Sequence, residues 1–389
     1  MKILVYRYGS ICEPDVISAF QKLGLTVLEE RTEITEKKVS PADRVRLVEN
    51  VLKSEHPLFV FSINFYPAVA EICHIYRTRY LCWTVDAPVP ELFARSMCYD
   101  TNHIFLFDHA QYQFFAPYNP GGTHYLPLAS CTERFDKVVA SISGKDRENY
   151  STDISFVGSL YNEKNPLRGL KNLPDHTKGY IDACVEASLK IYGYNLVEDA
   201  ITDEVAAAIK TCARDFYTIE DAVTASDRYV AAHSYIGMQI AETERARTLN
   251  TLSKYFSVDL FTGSDTSALQ GVQTHGPVAS LTEMPKIFHL SKINLNMTIK
   301  PIQTGLPLRI FDILGCGGFL MTNFQSELPE YFDIGTELEA YSSMEELVEK
   351  CAYYLEHEDV RRQIAENGYR KVCEQHTYIH RIQKMIAAL

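Results

Sequence analysis

Short apolar runs alternate with stretches that carry apolar residues at helical spacing through roughly the first 135 residues. Runs at 2–8, 25–29, 58–63, 80–85, 104–107 and 124–127 read as strands. Between them, 13–23, 41–54, 67–77 and 111–115 read as helices, the first closed by Gly24. That alternation predicts a parallel, doubly wound α/β sheet, whose ligands lie beyond the C-terminal strand ends. Asn64, Asp86 and Asp108 all fall at such ends, although Asp and Asn also favour turns for local reasons.

After a polar stretch at 137–150, read as a linker, a second sheet begins at 154–157 and is followed by Gly158-Ser159. Residues 161–248 then turn Ala-, Asp- and Glu-rich, with helical spacing at 182–192, 205–217 and 234–249, and predict a helical insertion in the second domain. Strands resume at 257–261, ending at Gly263-Ser264, and at 293–296 and 319–322; helices follow at 344–356, 359–373 and 378–388. The expected organisation is a first domain over 1–136, a second over 137–375, and a last helix at 376–389 returning to the first.

Composition narrows the function classes. The chain has 389 residues, 46% hydrophobic and 23% charged, too long for one usual core and suited to two domains. A net charge of -12 without a long basic run argues against nucleic-acid binding, yet a local pocket on an acidic protein can still hold an anion. The ten cysteines show no CxxC spacing and mostly sit in apolar runs, as small buried hydrophobes in a reducing cytosol. No apolar run approaches the ~20 residues of a membrane span, and Arg7 interrupts the N-terminal run too early for a signal peptide. The expectation is a cytoplasmic protein, with room for peripheral membrane contact.

Residues 291–324 carry the clearest chemistry. A strand ends near Asn294 and Asn296, a glycine-containing loop follows, and Pro307 stands where a helix over 307–314 should begin. A helix start after such a loop offers N–H groups and the positive dipole end to an anion. Arg309 and Asp312, three apart, share one helix face: a cation for a diphosphate and a carboxylate for a ribose diol. The same two residues read equally well as an ion pair on a solvated helix.

FSINF (61–65), WTVDAP (83–88), IFLFD (104–108), YLPLA (125–129), FVGSLY (156–161), SKINLN (291–296), GLPLRIFDILGCGGFL (305–320) and HTYIHR (376–381) occur in an order and spacing that resemble the CgeB-like, spore-maturation-type glycosyltransferases. The resemblance runs over almost the whole chain, least over 161–248. It implies a GT-B architecture: two Rossmann-like domains facing a cleft, the nucleotide-sugar held by the second and the acceptor by the first. Related sequences usually carry Glu where this one has Asp312.

A glycosyltransferase must stabilise a departing nucleoside diphosphate and orient or deprotonate an acceptor hydroxyl. The chain has no DxD, so leaving-group charge falls to cations and helix amides, and metal-independent transfer is expected. Arg309 and Lys292 are the candidate cations, the Gly305–Leu306 backbone the candidate amides, and Asn294 a further donor-site candidate. Gly158-Ser159 and Gly263-Ser264 would allow close backbone approach, and His275 would border the base; tight turns and a turn histidine are the plain alternatives. Asp86 is the candidate base for an acceptor hydroxyl, Asn64 a candidate hydrogen-bonding partner, and Asp108 a second candidate base. No cofactor is called for: a nucleoside-diphosphate sugar, UDP-linked by default, is the donor, and a protein, glycan or small molecule the acceptor. His376 and His380 lack the glutamate of a HExxH site and read as a structural helix face. A dehydrogenase is disfavoured because no GxGxxG follows the first strand; a non-catalytic nucleotide-sugar-binding protein of the same fold is the other reading.

Overall fold

The structure is a computed structural model that describes residues 1–389. Its chain divides into two compact units. One comprises 1–128, 217–226 and 378–389; the other comprises 129–216 and 227–377.

The first unit is built on six parallel strands, β1 (Lys2–Tyr6), β2 (Thr26–Glu30), β3 (Phe59–Ile63), β4 (Arg79–Trp83), β5 (Asn102–Leu106) and β6 (Thr123–Tyr125), in the order β2-β1-β3-β4-β5-β6. Every residue of β3 is buried, as a strand covered on both faces requires. Strand order reverses at β1, so a crevice opens beyond the C-terminal ends of β1 and β3. The last helix, Tyr378–Ala387, belongs to this unit. Its Arg381, 2% exposed, donates through Nε to the carbonyls of Pro127 (2.8 Å) and Leu128 (3.0 Å). Tyr378 packs edge-on against Trp83.

The second unit repeats the plan with β7 (Ile154–Val157), β8 (Val258–Phe261), β9 (Gln273–His275), β10 (Ile293–Asn296), β11 (Leu320–Asn323) and β12 (Glu339–Tyr341), ordered β12-β11-β10-β7-β8-β9 and all parallel. Its switch point lies between β7 and β10. Helices fill the region expected to be an insertion, and Ile181, Val185, Val205, Ile209, Val230 and Ile240 give them a core distinct from that of the sheet. The long helix Gly237–Leu252 leaves this subdomain and packs Leu249 and Leu252 into the sheet's core.

The structure differs from the expectation in several places. Residues 137–150 are no linker: helices Thr132–Ala140 and Gly144–Tyr150 occupy them, the second started by a capping box in which Ser143 and Asp146 each accept the other's backbone N–H. Charge had hidden two short helices. Residues 129–136 lie in the second unit and 217–226 in the first. Strands β9 and β12 are three residues each, too short to show a period, and Met284–Leu290 is a helix entered through Pro285. No helix is long and apolar enough to cross a membrane.

Candidate functional site

At the switch point of the second sheet, two Gly-Ser turns close on each other. The Leu160 N–H donates to Ser264 Oγ at 2.8 Å, so the turn after β7 is tied to the turn after β8. Ser159 Oγ accepts from the Tyr161 N–H (2.8 Å) and donates to Glu163 (2.5 Å). The helix Gly237–Leu252 brings Arg245, 9% exposed, across the gap: Nη1 donates to the Ser159 carbonyl at 2.5 Å and Nη2 to the Met297 carbonyl at 2.8 Å. One guanidinium thereby clasps the two strand ends that flank the crevice. Its plane lies over the Tyr161 ring, 4.5 Å from the centroid. Nε is buried without a partner.

Arg309 approaches the same place from the helix Leu308–Gly315. Pro307 precedes that helix as its N-cap, at ψ 156°, and no side chain caps its N-terminus. The Arg309 guanidinium stacks over Phe288 at 5.1 Å, touches Met284 Sδ and lies 3.8 Å from buried Asp312. Burial lowers the Arg245 pKa and the Arg309 charge lowers it further, against the pull of Tyr161 and Glu244. Two guanidiniums close enough for the charge of one to depress the pKa of the other, near an uncapped helix start, are an arrangement suited to an anion on an acidic protein. The loop before the helix is fixed by Gln325, whose Nε2 donates to the Ile302 (3.3 Å) and Gly305 (3.4 Å) carbonyls, and Leu306 is buried.

The crevice of the first sheet holds a cavity of about 540 Å³ lined by Tyr8, Glu33, Arg44, Asn64, Tyr66, Asp86 and Glu91, among others. Asn64 stands at φ 59°, a left-handed conformation Asn tolerates, just after β3. From there its Oδ1 accepts from the Val85 N–H at 3.0 Å while its Nδ2 donates to Asp86 Oδ2 at 2.7 Å and to the Tyr8 hydroxyl at 3.2 Å. Asp86 itself is exposed to the cavity. Burial and then the Asp86 charge push the Tyr8 phenol up, which keeps it a hydrogen-bond donor.

Residues 245–387 match the model of a family described as glycosyl transferase-like. No protein of curated function matches the sequence. Among solved structures, Anabaena Alr3699/HepE in complex with UDP-glucose superposes with a TM-score of 0.54 at 12% identity, covering 100% of this chain and 98% of that one. A glycosyltransferase from Rickettsia africae ESF-5 gives 0.52 at 10% identity, with 100% and 97% covered. The sucrose-phosphate synthase of Thermosynechococcus elongatus gives 0.54 at 9%, with 100% and 98% covered. The fold is GT-B. Family match and fold together support an enzyme of the nucleotide-sugar glycosyltransferase class.

Within this GT-B chain the expected site residues separate. Gly158, Ser159, Gly263, Gly305, Leu306, Arg309 and Asp312 belong to the segments around the second switch point, and Asn64 and Asp86 line the first cavity. Lys292 does not belong with them: it precedes β10, at the end of the sheet opposite the crevice, and pairs with Asp153 at 2.7 Å. Asn294, 1% exposed, bonds Ser155 Oγ (3.0 Å) and the Phe288 carbonyl (2.9 Å), stitching β10 to its neighbours. Asp108 is fully buried and caps the helix His109–Phe115 by accepting from the Ala110 and Gln111 N–H groups. His275 is held by Asp259 at 2.7 Å and stacks on Phe261 at the sheet edge.

Arg245, Tyr8, Arg44 and Glu91 escaped the sequence reading. Arg245 sits in ETERAR, which reads as a solvated charged face, and only the tertiary path of its helix buries it. Tyr8 follows β1 as Asn64 follows β3, so the strand-end rule applied evenly would have found it. No group of three or more His, Cys, Asp or Glu side chains has the spacing to hold a metal ion.

Proposed function

We propose that the protein transfers a sugar from a nucleoside-diphosphate sugar, UDP-linked by preference, to an acceptor hydroxyl, with the donor held by the second unit and the acceptor by the first. The observation that carries the donor half is the Arg245 and Arg309 pair at the switch point of the second sheet. Their positive charge, with the amides that open the helix Leu308–Gly315, would meet the charge that grows on the diphosphate as the glycosidic bond breaks. Asp312, one turn inside that helix, is suited to a ribose diol. The leaving group is thereby served without a metal.

On the acceptor side, Asp86 takes the proton of the attacking hydroxyl and Asn64 keeps its carboxylate aimed into the cavity. The motif order through the chain supports a CgeB-like subtype, and the donors bound by Alr3699/HepE support UDP-glucose as the first compound to try. Release of UDP from UDP-glucose, with and without EDTA, tests the reading. Turnover that survives EDTA and is lost in Arg309→Ala is the expected result; tight UDP binding without any turnover would make this a binding protein instead.

A further inference from the structure

The cavity of the first unit is not closed by the N-terminal residues alone. Residues 217–226 interrupt the helical part of the second unit and belong to the first. They run antiparallel to residues 93–95: the Val223 N–H donates to the Phe93 carbonyl at 2.8 Å, the Arg95 N–H donates to the Asp221 carbonyl at 2.9 Å, and Ala94 and Ala222 form a bridge. Arg95 and Asp221 also pair through their side chains at 2.7 Å. The segment's first residue, Tyr217, completes the cavity lining beside Glu91.

The charge of that lining is one-sided. Arg44 is paired with Glu33, through Nη2 at 2.6 Å and Nε at 3.1 Å, and lies over the Tyr66 ring at 5.0 Å, while the Tyr6 hydroxyl donates to the same carboxylate at 2.5 Å. Asp86 and Glu91 then face the cavity with no cation of their own. Lys37 donates to the Tyr8 carbonyl at 2.9 Å and is not among the lining residues. A phosphate or carboxylate entering here would meet like charge in a partly desolvated space. A sugar ring meets the reverse. Its hydroxyls donate to Asp86 and Glu91, accept from the Asn64 amide and the tyrosine hydroxyls, and its C–H face rests on Tyr8, Tyr66 or Tyr217.

We propose that Tyr217–Ser226 is a strap that completes the acceptor pocket, and that the pocket so formed selects an unphosphorylated sugar ring. The proposal rests on the acceptor half of the function above and adds what is bound and what closes over it. Burial pushes the Glu91 carboxyl up, and Tyr217 and the charge of Arg44 oppose that rise, so the strap favours the charged carboxylate.

Saturation-transfer NMR on the full chain, without donor, tests it with four probes: methyl glucoside, methyl galactoside, methyl mannoside and glucose 6-phosphate. At least one methyl glycoside should bind, and glucose 6-phosphate at least tenfold more weakly. Tyr217→Ala should weaken the bound glycoside about tenfold, and Asp221→Ala, which loosens the strap from outside the cavity, several-fold. Glucose 6-phosphate binding as well as the glycosides, no probe binding, or unchanged affinity in a folded Tyr217→Ala would each overturn the proposal. A parallel UDP titration separates the two readings: sugar binding without UDP binding leaves the strap standing and removes the donor site, and the converse removes the strap alone.

Discussion

The Asn64 side chain joins two strand ends, its Oδ1 accepting from the Val85 N–H at 3.0 Å while its Nδ2 holds Asp86 Oδ2 at 2.7 Å. Asn64 is therefore a positioning residue, and its left-handed backbone allows the two roles to be tested apart. Asn64→Gly keeps the conformation and removes both bonds, so transfer should slow with little change in melting. Asn64→Ala removes the same bonds and adds backbone strain of about 1 kcal/mol. Equal stability losses in the two variants, with unchanged kcat, would contradict the assignment.

Asp86→Asn should lower kcat by roughly 10²- to 10⁴-fold, the usual worth of a general base. Donor KM should hold, since Asp86 lies in the first unit and the proposed donor site is built from residues of the second. Steady-state kinetics at saturating donor give the answer.

Arg245→Met should cost both stability and donor affinity, because it strips two backbone carbonyls of their charged donor, each bond worth about 1.5–3 kcal/mol. Urea melts with and without UDP will separate the two effects. Arg309→Lys should keep part of the donor affinity and lose the fork geometry, unlike Arg309→Ala, which loses both.

Gly315 ends the helix that carries Arg309, and a Cβ there would lie 2.0 Å from Ser130 Oγ and 3.2 Å from Phe135. Gly315→Ala is expected to destabilise the second unit by about 1–3 kcal/mol and to shift the helix with its arginine. A paired Gly315→Ala and Ser130→Gly variant should recover much of the loss in a thermal melt.

His103 and His124 stack in the first sheet, and burial, then the charges of His124 and Arg79, hold the His103 imidazole down to about 4. A depressed histidine contributes stability that is whole above its unfolded pKa, near 6.5, and fades as pH falls towards 4. Wild-type melting temperature should drop across that window, and His103→Gln should flatten the drop.

Much of this architecture was legible because buried parallel strands are continuous apolar runs with polar residues at their C-terminal ends: β1, β3, β4 and β10 announce themselves that way, and Asn64 and Asp86 follow from them. What stayed hidden depends on contacts distant in sequence. Nothing local tells that Arg245 will meet Ser159 and Met297, or that Tyr217 will reach Glu91. Lys292 and Asn294 misled for the opposite reason: one precedes the right strand and the other is buried within it, short of the C-terminal end where a parallel sheet presents its ligands.

Calorimetric titration of UDP-glucose into wild type and Arg309→Ala, each checked for the same melting temperature, tests the central claim most directly. Wild type should bind with micromolar affinity that EDTA does not alter, and the variant at least tenfold more weakly, a loss of about 1.4 kcal/mol or more. Equal affinity in the two proteins, or no binding of UDP-glucose to either, would contradict a donor site built on Arg245 and Arg309.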